Sequence, residues 1–190
     1  INSPCAGDIF EKTISYKFIE IPYKGFTRVG VECELAVEIA KDFHPGSNSI
    51  SYSDLEKFIG GFLPAIEIVD DRYLDYLELG VPTLIADNFF NSGAVMGDVI
   101  YDWKRLNFDK IKGKTLINNI VVGEGRASFI MGSPLNAFKW YLEMCNKNKR
   151  KINKGDIILL GSIVETKWLN TNDIVTIEIE EFNPLNIYVN

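Results

Sequence analysis

Between Val29 and Ile39 the chain alternates without a break. Val29, Val31, Cys33, Leu35, Val37 and Ile39 are apolar, and Gly30, Glu32, Glu34, Ala36 and Glu38 stand between them. A period of two held over this length specifies a β-strand with one apolar face and does not fit an amphipathic helix. Glu32 and Glu34 are two apart, so their side chains leave the same face, about 6.7 Å apart along the strand. Two carboxylates placed this way can converge on one hard cation such as Mg²⁺, which takes oxygen ligands and keeps several waters. On spacing alone the ordinary reading is a row of glutamates facing water. Glu67 shifts that balance. It is a lone charge inside Ala65-Ile66-Glu67-Ile68-Val69, where a carboxylate is costly unless it is paired or bound to metal.

The rest of the chain is read from its turns and periods. Lys17 to Pro22 and Pro64 to Val69 read as strands, and so do Ala94 to Tyr101 and Thr115 to Val122, with Gly113 turning between the last two. Ser53 with Glu56 three residues on has the form of a capping box and predicts a short helix through Phe58, ended by Gly60-Gly61. Leu74 to Leu79 reads as one or two helical turns, stopped by Gly80 and Pro82. Pro134 opens a helix to about Asn146, its apolar positions Leu135, Phe138, Tyr141, Leu142 and Cys145 keeping helical spacing. Trp140 and Tyr141 read as packing on that helix. Ile157 to Leu160 and Ile174 to Ile179 close the chain as strands. Many strands, few helices and little βαβ alternation predict an α+β domain with a mostly antiparallel or mixed sheet.

Composition narrows the function. With 190 residues, 46% hydrophobic and 24% charged, the chain suits one globular domain over 1–190. The net charge of −6 disfavours a nucleic-acid partner, because phosphate contacts need clustered Lys and Arg. The one basic run, Lys147-Asn148-Lys149-Arg150-Lys151, reads as a solvated loop. No apolar run is long enough to span a bilayer. The odd, dispersed Cys5, Cys33 and Cys145 read as free thiols of a reducing, cytoplasmic compartment. The lone histidine, His44, sits in the turn-rich stretch His44-Pro45-Gly46-Ser47-Asn48, so a Ser-His or Cys-His pair is disfavoured. The chain begins at Ile1 and not Met, which predicts an upstream segment.

Five segments, taken in order, carry a resemblance. They are Gly30-Val31-Glu32-Cys33-Glu34-Leu35-Ala36; Leu63-Pro64-Ala65-Ile66-Glu67-Ile68-Val69-Asp70 with Arg72; Ala86-Asp87-Asn88; Gly123-Glu124-Gly125 followed by Met131-Gly132-Ser133-Pro134-Leu135-Asn136-Ala137; and Gly155-Asp156-Ile157-Ile158-Leu159-Leu160-Gly161-Ser162. Together they resemble the fumarylacetoacetate hydrolase superfamily, in its 2-oxopent-4-enoate hydratase and 4-oxalocrotonate decarboxylase branch. The resemblance implies a strand-rich mixed β-roll with a few short helices. It also implies a Mg²⁺ or Mn²⁺ site made by Glu32, Glu34 and Glu67, with Asp87, Asn88 and Ser162 lining the pocket of a small 2-oxo acid. Arg72 reads instead as a partner of Asp70 or Asp71.

The activity implied is that of a metal-dependent hydro-lyase. A related decarboxylase or C–C hydrolase, or a non-catalytic member that binds metal and ligand, stays open as the alternative, as does assembly with identical chains or with a partner subunit. The chain departs from the family pattern in several places. The family's helical N-terminal region with its catalytic lysine would precede Ile1. Leu160 stands where a threonine is usual, Phe89 and Phe90 where small residues are, and Cys5 aligns where some hydratases carry an acid.

Overall fold

The computed structural model describes residues 4–46 and 49–190. Its strands are β1 (Ile14–Tyr16), β2 (Phe18–Ile21), β3 (Val29–Ile39), β4 (Ile59–Asp70), β5 (Asn91–Met96), β6 (Lys112–Ile117), β7 (Ile120–Arg126), β8 (Ile157–Trp168), β9 (Ile174–Ile179) and β10 (Leu185–Val189). Among the described residues three α-helices join them: α1 (Tyr52–Leu55), α2 (Val81–Ala86) and α3 (Pro134–Lys147). One sheet runs β1-β5-β4-β3-β8 and the other β2-β10-β9-β6-β7. Each is antiparallel except for one parallel pair, β1 with β5 and β2 with β10. This is the strand-rich α+β architecture expected from the pattern. Among the described residues no helix is long and apolar enough to cross a membrane.

The alternating strand sits at the centre of the first sheet, between β4 and β8. Its apolar set, including Val31, Cys33 and Leu35, is buried in the main core with Val175, Ile177 and Ile187 of the second sheet. Its other face is not a solvated row. Ala36 there packs with Leu63, Ala65, Ala94 and Met96 into a second, smaller apolar cluster. Strand β3 therefore buries both faces, and the glutamates lie in a partly apolar setting. Helix α3 is capped by the Ser133 side chain, which accepts the Leu135 amide at 3.3 Å. It buries Phe138, Leu142 and Cys145 in the main core.

Several expectations are corrected. The capping box belongs to Ser51 and Asp54, with Ser51 N donating to Asp54 Oδ2 at 3.1 Å, so the helix starts earlier than Ser53 with Glu56 implied. Gly60 and Gly61 do not end a helix but lie inside β4. A Cβ at Gly61 would lie 2.6 Å from the Ile100 carbonyl, so close backbone approach, not a turn, accounts for the glycine. Pro64 also lies within β4. Its carbonyl accepts from Gly97 N at 2.9 Å, so its missing N–H faces the side where β5 has already ended. Gly80 and Pro82 open α2 instead of only stopping the preceding turn. Gly113 is inside β6, and the hairpin turn is Asn118-Asn119, both at positive φ (52° and 66°). The strand expected at Ala94–Tyr101 is Asn91–Met96, β8 runs on to Trp168, and β10 carried no expectation. His44 is exposed; Ser47 and Asn48 of its turn, and Ile1, lie outside the described residues.

Candidate metal centre

The register of β3 on β4 sets Glu32 directly opposite Glu67, and Glu34 opposite Ala65. Directly opposed side chains have Cβ atoms only about 5 Å apart, and like charges so placed repel. Glu32, Glu34 and Glu67 each bring a carboxylate oxygen to within 4.8 Å of the others. Glu34 is only 4% exposed. Among the described residues no Lys or Arg pairs with any of the three.

Neighbouring groups hold these carboxylates by neutral hydrogen bonds. Asn91 Nδ2 donates to Glu67 Oε1 at 2.7 Å. Thr166 Oγ1 donates to Glu32 Oε1. Ser162 Oγ reaches both Glu32 Oε2 and Glu34 Oε1, the latter at 3.2 Å, with one proton to give. Gly161 N donates to Glu34 Oε2 at 3.2 Å. That last bond explains the local backbone. Gly161 sits at φ +126°, and the β3–β8 register slips repeatedly between Val31 and Ala36. The irregular strand turns an amide from the ladder onto the side-chain face, as bulges beside functional sites do.

Electrostatics follow from burial and crowding. Burial raises the Glu34 carboxyl well above its ordinary range, and the charges of Glu67 and Glu32 add to the effect. Burial also pushes Glu67 up to about 7; the Asn91 amide pulls it down and the charge of Glu32 pushes it further up. Cys33, on the opposite face, is pushed up to about 12 by burial and is an inert core thiol. Three crowded carboxylates held by neutral donors, with no side-chain cation, form an acceptor-only set. They fit a hard divalent cation, which prefers oxygen ligands and would relieve the repulsion.

The cluster opens into a cavity of about 730 Å³ lined by Glu34, Glu67, Asn88, Leu159, Tyr141 and Arg150, among others. Asn88 stands on the cavity wall, but its Nδ2 donates to the Asp8 carbonyl at 2.8 Å and ties down the N-terminal segment. A Cβ at Gly7 would come within 1.7 Å of Asn88 Oδ1, so this contact needs glycine. Ser162 lies behind the glutamates as their donor and is not itself a wall of the cavity.

Asp87 does not line the cavity. Its carboxylate takes Arg72 Nε at 3.2 Å, Arg72 Nη2 at 3.3 Å and the Phe90 amide at 3.0 Å, capping the left-handed stretch Asn88-Phe89-Phe90. Arg72 is thus the partner of Asp87 and not of Asp70 or Asp71. Asp70 is taken by the amides of Thr27 and Arg28, and Asp71 by the Arg28 guanidinium. Of the two phenylalanines that depart from the family pattern, Phe89 lines the cavity and Phe90 packs edge-on against Tyr73 and Tyr76.

Asn91, Thr166 and Gly161 were not singled out from the sequence. Thr166 lies in a polar stretch, Glu165-Thr166-Lys167, that hides the continuation of β8. Gly161 has a signal in hindsight, a glycine breaking an apolar strand.

The chain is similar in sequence and in fold to known proteins. The 2-keto-4-pentenoate hydratase 1 of Dechloromonas aromatica (strain RCB) is 27% identical over 150 residues, which are 79% of this chain and 56% of that protein. A 4-oxalocrotonate decarboxylase of Pseudomonas sp. is 27% identical over 125 residues, 64% of this chain and 46% of that one. The chain spans about half the length of these curated relatives. Among solved structures, the 4-oxalocrotonate decarboxylase from Pseudomonas putida G7, complexed with magnesium and adipate, superposes with a TM-score of 0.85 at 16% identity. That match covers 95% of this chain and 67% of that one. The same enzyme was also solved with calcium and acetate, and matches with a TM-score of 0.82. The family model for the fumarylacetoacetate (FAA) hydrolase C-terminal domain matches residues 11–190, and the chain belongs to that family.

Proposed function

We propose that Glu32, Glu34 and Glu67 hold one Mg²⁺ or Mn²⁺ ion, and that the chain serves a hydro-lyase reaction on a small 2-oxo or 2-hydroxydienoate acid, like that of the 2-oxopent-4-enoate hydratases. The observation that carries this reading is the set of three carboxylates within 4.8 Å of one another, opening into a cavity. The names of the hydratase relatives and the magnesium in the structural neighbour support it. A divalent ion held by these three glutamates would supply a Lewis acid for a bound 2-oxo acid. The chain's own groups do the rest. Asn91, Thr166 and Ser162 orient the glutamates, while Leu159, Ile157 and Met96 offer an apolar wall that keeps water from the hydrocarbon part of the acid. A decarboxylase of the same superfamily is the second reading, favoured by the fold match to 4-oxalocrotonate decarboxylase.

The test begins with metal. Thermal unfolding should shift upward with Mg²⁺ or Mn²⁺, by an amount equivalent to about 2.7 kcal/mol at a hundredfold excess over Kd. Glu32→Gln and Glu67→Gln should blunt the shift. Glu38→Gln, on the same strand face but outside the cluster, should not. A parent with no metal response, or three variants that respond like the parent, refutes the site. With metal bound, hydration of a 2-hydroxydienoate is followed by loss of its ultraviolet absorbance and decarboxylation by CO₂ release, which separates the two readings.

A further inference from the structure

The stretch Asn88-Phe89-Phe90, at φ of 58°, 50° and 69°, puts two phenylalanines in the left-handed region that bulky side chains avoid. It is kept there by the Asp87 carboxylate, which accepts the Phe90 amide at 3.0 Å and is gripped by Arg72. Strain fixed in this way collects where ligands are held. Two of the three side chains have a structural use. Asn88 donates to the Asp8 carbonyl at 2.8 Å, and Phe90 packs against Tyr73 and Tyr76, at 5.9 and 5.6 Å between ring centres. Phe89, between them, lines the cavity and makes no ring contact among the described residues.

A second loop repeats the arrangement. Met131 is held at φ 49°, followed by Gly132 at φ 82°. The Met131 carbonyl accepts from Asn136 Nδ2 at 2.9 Å, and Asn136 Oδ1 accepts the Tyr52 hydroxyl. The Met131 side chain is 43% exposed and lines the cavity. Beyond that loop α3 contributes Trp140. Its place in the helix pattern reads as packing, yet it is only half-buried and lines the cavity. Like Phe89, it has no ring contact among the described residues. Arg150, also on the wall, is paired with Asp8.

Two unpartnered aromatic rings and a thioether in one cavity leave apolar surface for a ligand to cover. Aromatic side chains take another ring offset or edge-on, and a methionine sulfur is favourable at a ring edge. There is room for one. The volume of about 730 Å³ lies in the range that holds a drug-sized ligand, and a short-chain 2-oxo acid fills only part of it.

We propose that Phe89, Met131 and Trp140 form a subsite for an aromatic ring, so that the ligand is a 2-oxo acid bearing an aryl group, with its 2-oxo acid end at the glutamate cluster. This inference rests on the metal-site reading above and extends it to the substrate class.

The experiment measures binding by calorimetry to the full chain loaded with Mn²⁺, using 2-oxobutanoate, 4-phenyl-2-oxobutanoate and 4-cyclohexyl-2-oxobutanoate as probes. The three share the 2-oxo acid end. The phenyl compound should bind about tenfold tighter or better than 2-oxobutanoate, as burial of a ring implies. It should bind about threefold tighter than the cyclohexyl compound, which has similar bulk and no π face. The preference should persist at raised salt, because apolar burial is not screened. Phe89→Gly and Met131→Ala should each cut the preference for the phenyl compound over 2-oxobutanoate to about threefold or less. Phe89→Gly also separates a binding role from a packing role. It removes the ring and relieves the left-handed backbone, so the unfolding midpoint should stay within about 3 °C of the parent's. A midpoint lower by more than that makes Phe89 a packing residue and overturns its place in the subsite. If the phenyl compound and 2-oxobutanoate bind the parent equally, if the cyclohexyl compound binds as tightly as the phenyl one, or if Phe89→Gly keeps the preference, the aryl subsite is refuted while the metal-site reading stands. If none of the acids binds the Mn²⁺-loaded chain, both fall together.

Discussion

Replacing Glu67 by glutamine should make the metal-free protein more stable at neutral pH and at the same time cost it its metal response. In the folded state burial holds the Glu67 carboxyl at about 7 against an ordinary value of 4.5. A folded-state value above the unfolded one means that the folded chain binds the extra proton between these two pH values. Metal-free stability therefore falls as pH rises from about 4.5 to about 7 and is flat beyond. The full loss is about 3 kcal/mol at 1.36 kcal/mol per unit. Glutamine keeps the oxygen that accepts from Asn91 Nδ2 and carries no charge to desolvate or to oppose Glu32. In EDTA at pH 7.5, urea unfolding should show Glu67→Gln about 2–3 kcal/mol more stable than the parent. At pH 5 the difference should shrink to about 1 kcal/mol or less. Adding Mn²⁺ should reverse the order at pH 7.5, because a ligand carboxylate must be ionised to bind and only the parent has three. If Glu67→Gln is less stable than the parent in EDTA at pH 7.5, or if the difference does not shrink on going to pH 5, then Glu67 is not a buried, repelled carboxylate and the electrostatic account of the cluster fails.

Three further outcomes follow from particular contacts. Thr166→Val removes the hydroxyl that donates to Glu32 Oε1 while preserving shape; calorimetric Mn²⁺ affinity should drop about tenfold or more, as for other groups that orient metal ligands, and an unchanged Kd would show the bond to be idle. Gly7→Ala would bring a Cβ to 1.7 Å from Asn88 Oδ1, so Asn88 must swing away and release the Asp8 carbonyl. Hydrogen exchange across residues 4–13 should then accelerate, with β3 unaffected; no change there would mean the latch carries no stability. Leu142→Ala, at a fully buried position of α3, should destabilise by about 2–5 kcal/mol in urea unfolding, and a loss under 1 kcal/mol would contradict the packing of α3 on the core.

The central strand was legible because its period is unambiguous: no other local structure places Val29 to Ile39 and their intervening residues on two distinct faces. What the alternation left open was whether the second face meets water. Ala36 is the informative residue there. A small apolar side chain between Glu34 and Glu38 is unremarkable on a solvated face, yet here it packs against Leu63, Ala65, Ala94 and Met96. Those partners come from β4 and β5, so their arrival on this face is a property of the sheet order and not of β3. The same limit governs the turns. Gly113, Gly60 and Gly61 read as breakers because glycine usually marks a turn, but here they answer crowding from elements distant in sequence, Ile163 in one case and Ile100 in another. Local composition carries no record of such crowding.

The glutamates themselves were found through the strand pattern and the resemblance, while the residues that make them usable were not. Asn91, Thr166 and Gly161 come from β5 and β8, and reach the carboxylates only once the register is set: Glu67 with Ala94 on one side, Glu34 with Ser162 on the other. Ser162 and Asn88 were singled out as pocket residues, yet their bonds place them in supporting positions, Ser162 beneath Glu32 and Glu34 and Asn88 over the N-terminal segment. Asp87 shows why a motif transfers position more safely than role. Its carboxylate is consumed by Arg72 and by the Phe90 amide, because three successive residues at positive φ leave an amide that needs an acceptor.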